Sequence, residues 1–178
     1  MTRNIMDRNI LRYCSEIAEY IVGKGTSFVA TGIYDIMTSA ESDMEHWQEG
    51  VFARLMRIED RVRSRPAFYR IYIQDKEIID FFNRNHEVDL QTLITFVLTH
   101  EILHMQGCGT GRADFNHVEY DEEIFVDILT RLLMTKYPVS GKKNVLTLLD
   151  KIMPVPLYKD NKMVLTDQGD HINAYLRI

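Results

Sequence analysis

Apolar positions recur at helical spacing at the start of the chain. Ile5, Ile10, Leu11, Cys14, Ile17, Ala18 and Ile21 share one helix face, and Gly23 and Gly25 are expected to end that helix. The stretch 26–40 reads two ways, as a strand at SFVA and as a helix at TGIYDIMTSA. From Glu41 to Val62 the pattern is that of a charged amphipathic helix, closed by SRP. The segment FYRIYIQD, 68–75, alternates and is rich in aromatic and β-branched residues, which predicts a strand. Short helical spacing follows over 76–85. Asp89 is placed as an N-cap for a helix over 90–106, and Gly107, Gly109 and Gly111 predict a loop after it. Helices are expected over 118–137, stopped by Pro138, and over 144–153, with Pro154 and Pro156 beyond. The segments KMVLT and HINAYLRI suggest a C-terminal hairpin. No internal repeat or linker interrupts the chain, so the expectation is one α+β domain, mostly α with a small sheet, over 1–178.

The helix over 90–106 is unusual in its pattern. Leu93, Ile94, Phe96, Val97, Leu98, Ile102, Leu103 and Met105 cover nearly its whole circumference, which predicts burial on all sides. Yet it carries His100, Glu101 and His104. Burying three ionisable groups without partners is costly. His100 and His104 are four apart and therefore lie one turn above the other on the same face, where two imidazoles can ligate one metal ion. Glu101 is rotated about 100° from His100 by helix geometry, placed to reach a water on the metal without being a ligand. This is the H-E-x-x-H arrangement of zinc hydrolases, and it accounts for the charge in the core.

Composition adds bounds. The chain has 178 residues, 46% hydrophobic and 26% charged, with a formal net charge of -5, as an ordinary globular protein does. Arg54, Arg57, Arg61, Arg63 and Arg65 are the densest basic group, interrupted by Glu59 and Asp60. They read as the solvated face of the helix expected there, so no nucleic-acid partner is expected. Two cysteines, Cys14 and Cys108, make neither a disulfide framework nor a cysteine-rich zinc site. The first residues show no continuous apolar run of a signal peptide. The longest uncharged stretch near the core is too short to span a bilayer, so the expectation is a cytoplasmic protein with no membrane partner. The sequence sets no oligomeric state.

A catalytic zinc needs a third protein ligand and one open position. Thr110 stands where a third histidine would follow in H-E-x-x-H-x-x-G-x-x-H, and His117 is reached only by a different loop. The stronger candidate lies in EYDEEIFVDILTRLLM. Eighteen residues separate His104 from Glu123, and Asp127 follows four later. H-E-x-x-H followed by this E-x-x-x-D resembles the gluzincin pattern of the zincin clan. The resemblance implies that Glu123 is the third ligand and that Asp127 hydrogen-bonds a ligating histidine and fixes its tautomer. The segment is also similar, distantly, to that of the immunity-repressor (ImmA/IrrE type) peptidases. The likeness covers roughly 96–134. On a helical wheel Glu122 falls closer than Glu123 to the face of Phe125, Val126, Leu129, Leu132 and Leu133, so burial favours Glu122 as the ligand and spacing favours Glu123. Acidic residues at a helix start also suit the macrodipole, a sufficient account of Glu119 and Asp121.

The resulting expectation is a metallopeptidase with one zinc per chain, held by His100, His104 and Glu123, with Glu101 as general base and a peptide or protein as substrate. His117, Tyr120, Tyr137 and His171 are candidates to stabilise the oxyanion. The strand over 68–75 is expected at a sheet edge beside the active-site helix, where an extended substrate could add to it. Two other readings stand beside this one. A ferritin-like di-metal protein would use Glu101 and His104 with Asp43 and His46. A non-catalytic metal-binding module would keep the ligands without turnover.

Overall fold

The structure is a computed structural model that describes residues 6–42, 50–109, 120–137 and 139–152. In chain order it contains α1 (Arg8–Thr26), β1 (Tyr34–Thr38), β2 (Ala53–Glu59), β3 (Phe68–Ile73), α2 (Asp75–Arg84), α3 (Leu90–Gly109), α4 (Tyr120–Lys136) and α5 (Lys142–Ile152). The fold is α+β and mostly helical, as its periodicities indicate. Among the described residues no helix is long and apolar enough to cross a membrane.

The three strands form one sheet in the order β1-β3-β2. β1 runs parallel to β3 with Tyr34 opposite Tyr69. β2 runs antiparallel with Ala53 opposite Ile73 and an irregularity between Arg57 and Glu59. β3 buries Tyr69, Ile71 and Ile73, the alternate positions of its sequence. It is therefore the central strand, not the edge expected for it. β2 is the edge strand that packs against α3.

α3 is the axis of the molecule. It packs against α1 most extensively and also meets α4, α5, β2 and β3. Leu93, Ile94, Leu98, Ile102 and Met105 are fully buried along it, which is why its sequence is apolar on all sides. Asp89 caps it as expected, its carboxylate accepting the Thr92 N–H at 2.8 Å.

Two segments differ from their sequence patterns. Residues 26–40 hold a strand, but it is β1, within TGIYDIMTSA, and SFVA is irregular. The helix expected over 41–62 is replaced at 53–59 by β2, preceded by Gly50 at φ 80°. The alternating arginines and glutamates suit a helix locally, but pairing with β3 along the whole of β2 decides its conformation. Smaller shifts have clear causes. α1 continues through Gly23 and Gly25, and at Gly25 it passes so close to α4 that a Cβ would overlap the Leu133 side chain, so glycine there serves the packing and not a helix end. α3 runs on through Gly107 to Gly109. The expected C-terminal hairpin, Gly111, Thr110, His117, Glu119, His171, Asp43 and His46 lie outside the described residues.

Candidate metal centre

α3 and α4 build the site. On α3, His100 and His104 lie one turn apart with rings in edge contact, centroids 4.8 Å apart. The first turns of α4 bring Glu122 and Glu123 against them. One ligand atom each from His100, His104 and Glu123 lie within 4.8 Å of one another. His100 Nε2 is 3.1 Å from His104 Nε2 and 3.2 Å from Glu123 Oε2, and His104 Nε2 is 3.3 Å from Glu123 Oε1. Ligands bound tetrahedrally to one ion at ordinary zinc distances would stand about 3.3–3.6 Å apart. The closest approaches are at or just inside that spacing, through one Glu123 oxygen to each histidine, and one atom from each residue lies within 4.8 Å of the other two, so these residues can gather about one divalent cation. Imidazole and carboxylate donors suit zinc and its first-row neighbours.

Glu122 and Glu123 divide the work. Glu122 is the more buried, its side chain 17% exposed against 52% for Glu123. Its Oε1 nonetheless lies at the far side of the His104 ring, 3.2 Å from Nδ1. Burial on the wheel correctly marked Glu122 as inward, but the inward position reaches the outer nitrogen of His104 and not the shared centre. A proton held on Nδ1 by Glu122 leaves Nε2 with the lone pair a metal requires.

Asp127 has a different partner from the one its spacing suggests. Its Oδ2 accepts from Arg131 Nε at 2.7 Å, and Arg131 also reaches Asp150 on α5. This side of α4 ties helices together, while Glu122 stands at the histidine in the place anticipated for Asp127. Tyr137 is at the other end of α4, edge-on to Tyr20 of α1, about 20 Å along the helix from Glu123 and so away from the cluster. The side chain of Tyr120 is outside the described set.

Glu101 is buried beside the histidines, and the backbone N–H of Leu55 on β2 donates to its carboxylate. Sequence reasoning missed Leu55, because a main-chain donor from a distant strand leaves no residue-type signal. The electrostatics are those of a crowded, poorly solvated group. Burial lifts the Glu101 carboxyl above the usual range, opposed by the two imidazoles. Hydrogen bonds from His100 and His104 hold Glu123 well below it. For His104, burial alone would lower the pKa, but the bond to Glu123 and the charges around it outweigh burial and push it up to about 9. His100 Nδ1 is buried with no hydrogen-bond partner among the described residues. Without a cation, excess negative charge is balanced by protons on imidazole.

The motif-bearing helix, the downstream glutamate helix and the His-His-Glu cluster are thus present together. No family model, no curated protein and no solved structure matches the chain, so its likeness to zincins rests on the motif residues and their geometry.

Proposed function

We propose that this protein is a zinc-dependent metallopeptidase with one zinc per chain, held by His100, His104 and Glu123. The observation that carries the reading is the convergence of those three ligand atoms within 4.8 Å beside a buried glutamate that is not among them. A bound zinc would supply acidified water and polarise the scissile carbonyl. Glu101 takes the proton from the water and delivers it to the leaving nitrogen. Glu122 orients His104 through Nδ1. The Leu55 N–H keeps the Glu101 carboxylate in place. An extended peptide would lie along β2, the edge strand next to α3, through main-chain hydrogen bonds.

The sheet packed on α3 also supports this reading over a ferritin-like di-metal centre, which is built from long helices alone. Elemental analysis of protein purified without added metal, paired with mass-spectrometric analysis of a mixed peptide library, tests the proposal. One zinc per chain with cleavage is expected. Two metals per chain would favour the di-metal reading, and no metal after reconstitution would sink both. Zinc without cleavage, combined with a protein side chain in the fourth position, would identify a non-catalytic module.

A further inference from the structure

A concave feature lies outside the cluster. It is a groove of about 820 Å³ at the turn between β2 and β3. Arg57, Arg61, Arg63 and Arg65 rim it, and Phe28 and Met105 contribute to its apolar lining. No acidic residue lines it. On a chain of net charge -5 this is a local reversal of sign. The sequence pattern placed these arginines on a solvated helix face. The structure instead gathers them around a concavity, because β2 is a strand and the chain turns back into β3 directly after it. Asp60 lies 3.5 Å from Arg57 but outside the groove. Like charges around one hollow repel each other, and an anion seated there relieves that repulsion.

The groove shares no residue with the metal cluster but lies near the candidate general base: Met105, which lines it, is one helical turn after Glu101 on α3. Arg57 is two residues, about 7 Å of strand, beyond Leu55, the residue whose backbone bonds Glu101. A peptide lying extended on the edge of β2 would enter the groove two or three residues from the scissile bond. Phe28, Val29, Val62, Pro66 and Met105 make the lining apolar, which suits an aliphatic or aromatic side chain.

We propose that this arginine-rimmed, apolar-lined groove is a substrate subsite, and that it selects peptides carrying acidic residues around an apolar side chain a few positions from the cleaved bond. The assignment rests on the metallopeptidase reading for its place in the reaction, but not for its binding chemistry.

The test is fluorescence anisotropy with the zinc-loaded full-length protein bearing Glu101→Gln, so that ligand is not consumed. The probes are labelled peptides of about ten residues that alternate glutamate with leucine and phenylalanine, and the same peptides with glutamine or lysine replacing glutamate. The acidic peptide should bind at least about tenfold tighter than the glutamine one, the scale of several rim ion pairs together. The lysine peptide should bind least. The preference should shrink between low and high salt. Arg61→Ser, Arg63→Ser and Arg65→Ser combined should erase it with zinc content unchanged. The salt titration tests the same point on unaltered arginines if that variant folds poorly. Equal affinity for the acidic and glutamine peptides would overturn the proposal. So would displacement of the acidic peptide by a single-stranded oligonucleotide of equal charge at equal concentration, which would make the groove a nucleic-acid site. Arginine-dependent binding of acidic peptides that the wild type never cleaves would support the groove and overturn the peptidase reading alone.

Discussion

His104 is held at both ends of its ring by adjacent glutamates: Nδ1 stands 3.2 Å from Glu122 Oε1, and Nε2 stands 3.3 Å from Glu123 Oε1. Successive residues on a helix diverge by about 100°, so two neighbours rarely serve one site. Here α4 meets α3 so that the imidazole lies between the two directions. One glutamate can then be a ligand while the other fixes the ligand's tautomer.

That division predicts unequal losses. Glu123→Ala removes a ligand and should strip zinc at concentrations that saturate the wild type. Glu122→Ala should weaken zinc about 10- to 100-fold, as for other residues that orient a ligating histidine. Glu122→Gln, which keeps an acceptor for Nδ1–H, should recover much of that loss. Competition with a chromophoric chelator measures all three. If Glu122→Ala empties the site and Glu123→Ala does not, the two roles are reversed.

Asp127 should behave as a stability residue. Arg131 is buried, and its guanidinium bonds the carboxylates of Asp127 and Asp150. Asp127→Ala removes one charged acceptor from that guanidinium in a poorly solvated place, at a cost of about 1–3 kcal/mol. Zinc affinity should stay within about twofold of wild type, below the loss expected for a residue orienting a ligand. Urea unfolding and the same chelator assay separate the two effects. A tenfold loss of zinc affinity in a stably folded Asp127→Ala would return it to the metal site.

How much of this was legible in the sequence follows from what each element depends on. α3 was readable because its apolar residues surround it and its charges had to be explained. β3 was readable because Tyr69, Ile71 and Ile73 alternate within an aromatic run. β2 was not, because Arg54, Arg57 and Glu59 fit a helix surface and the pairing that makes them a strand is with a segment whose position no local pattern gives. The same limit hid Leu55 at Glu101 and the arginine groove. At the candidate metal centre, residue types and helical spacing were enough to point to the cluster of His100, His104 and Glu123. Assigning Glu122 and Asp127 needed the angle at which α4 crosses α3, which spacing along one helix does not contain.

The entry to α3 carries its own test. Asp89 accepts from the Thr92 N–H at 2.8 Å and from the Thr92 hydroxyl at 2.7 Å. Gly141 approaches it closely: at φ 73°, a Cβ there would stand 2.9 Å from Asp89 Cβ. Asp89→Ala should cost about 0.5–2 kcal/mol through the lost cap. Gly141→Ala should destabilise through left-handed backbone strain, about 1–2 kcal/mol, and through pressure on Asp89. His100 is about 16 Å further along the helix, so folded protein of either variant should hold zinc as the wild type does. Denaturant midpoints read the first effect and zinc titration the second. Wild-type stability in both variants would mean that this cap does not secure α3.

The buried thiol of Cys14 offers a check on the packing of α1 against α3. It is fully buried and its Sγ–H donates to the Gln91 carbonyl at 3.4 Å, and burial raises its pKa. In a Cys108→Ser background, iodoacetamide at neutral pH should label Cys14 only on the timescale of unfolding, because the reactive form is the thiolate and it is both scarce and covered. Rapid labelling of the native protein would show that α1 opens from α3 without global unfolding.

On the metallopeptidase reading, Glu101 is the residue at which metal binding and catalysis come apart. It is buried, it neighbours both histidines, and it is not one of the three converging ligands. Glu101→Gln keeps the side chain's shape and an oxygen that can accept the Leu55 N–H, so the contact between β2 and α3 should survive. It also removes a buried carboxyl whose ionisation is disfavoured by burial, so folding stability should hold or rise slightly. What it cannot do is accept a proton. Zinc content and melting temperature should match the wild type, while peptide hydrolysis should fall by at least about 10², the usual scale of general acid–base catalysis. Glu101→Ala is the contrast: it should lose hydrolysis too, but it leaves the Leu55 N–H without this acceptor and should melt earlier. Cleavage rates, zinc content and melting curves measured side by side decide the matter. Equal cleavage by wild type and Glu101→Gln would remove Glu101 from the mechanism, and loss of zinc from Glu101→Gln would make it a ligand instead of a base.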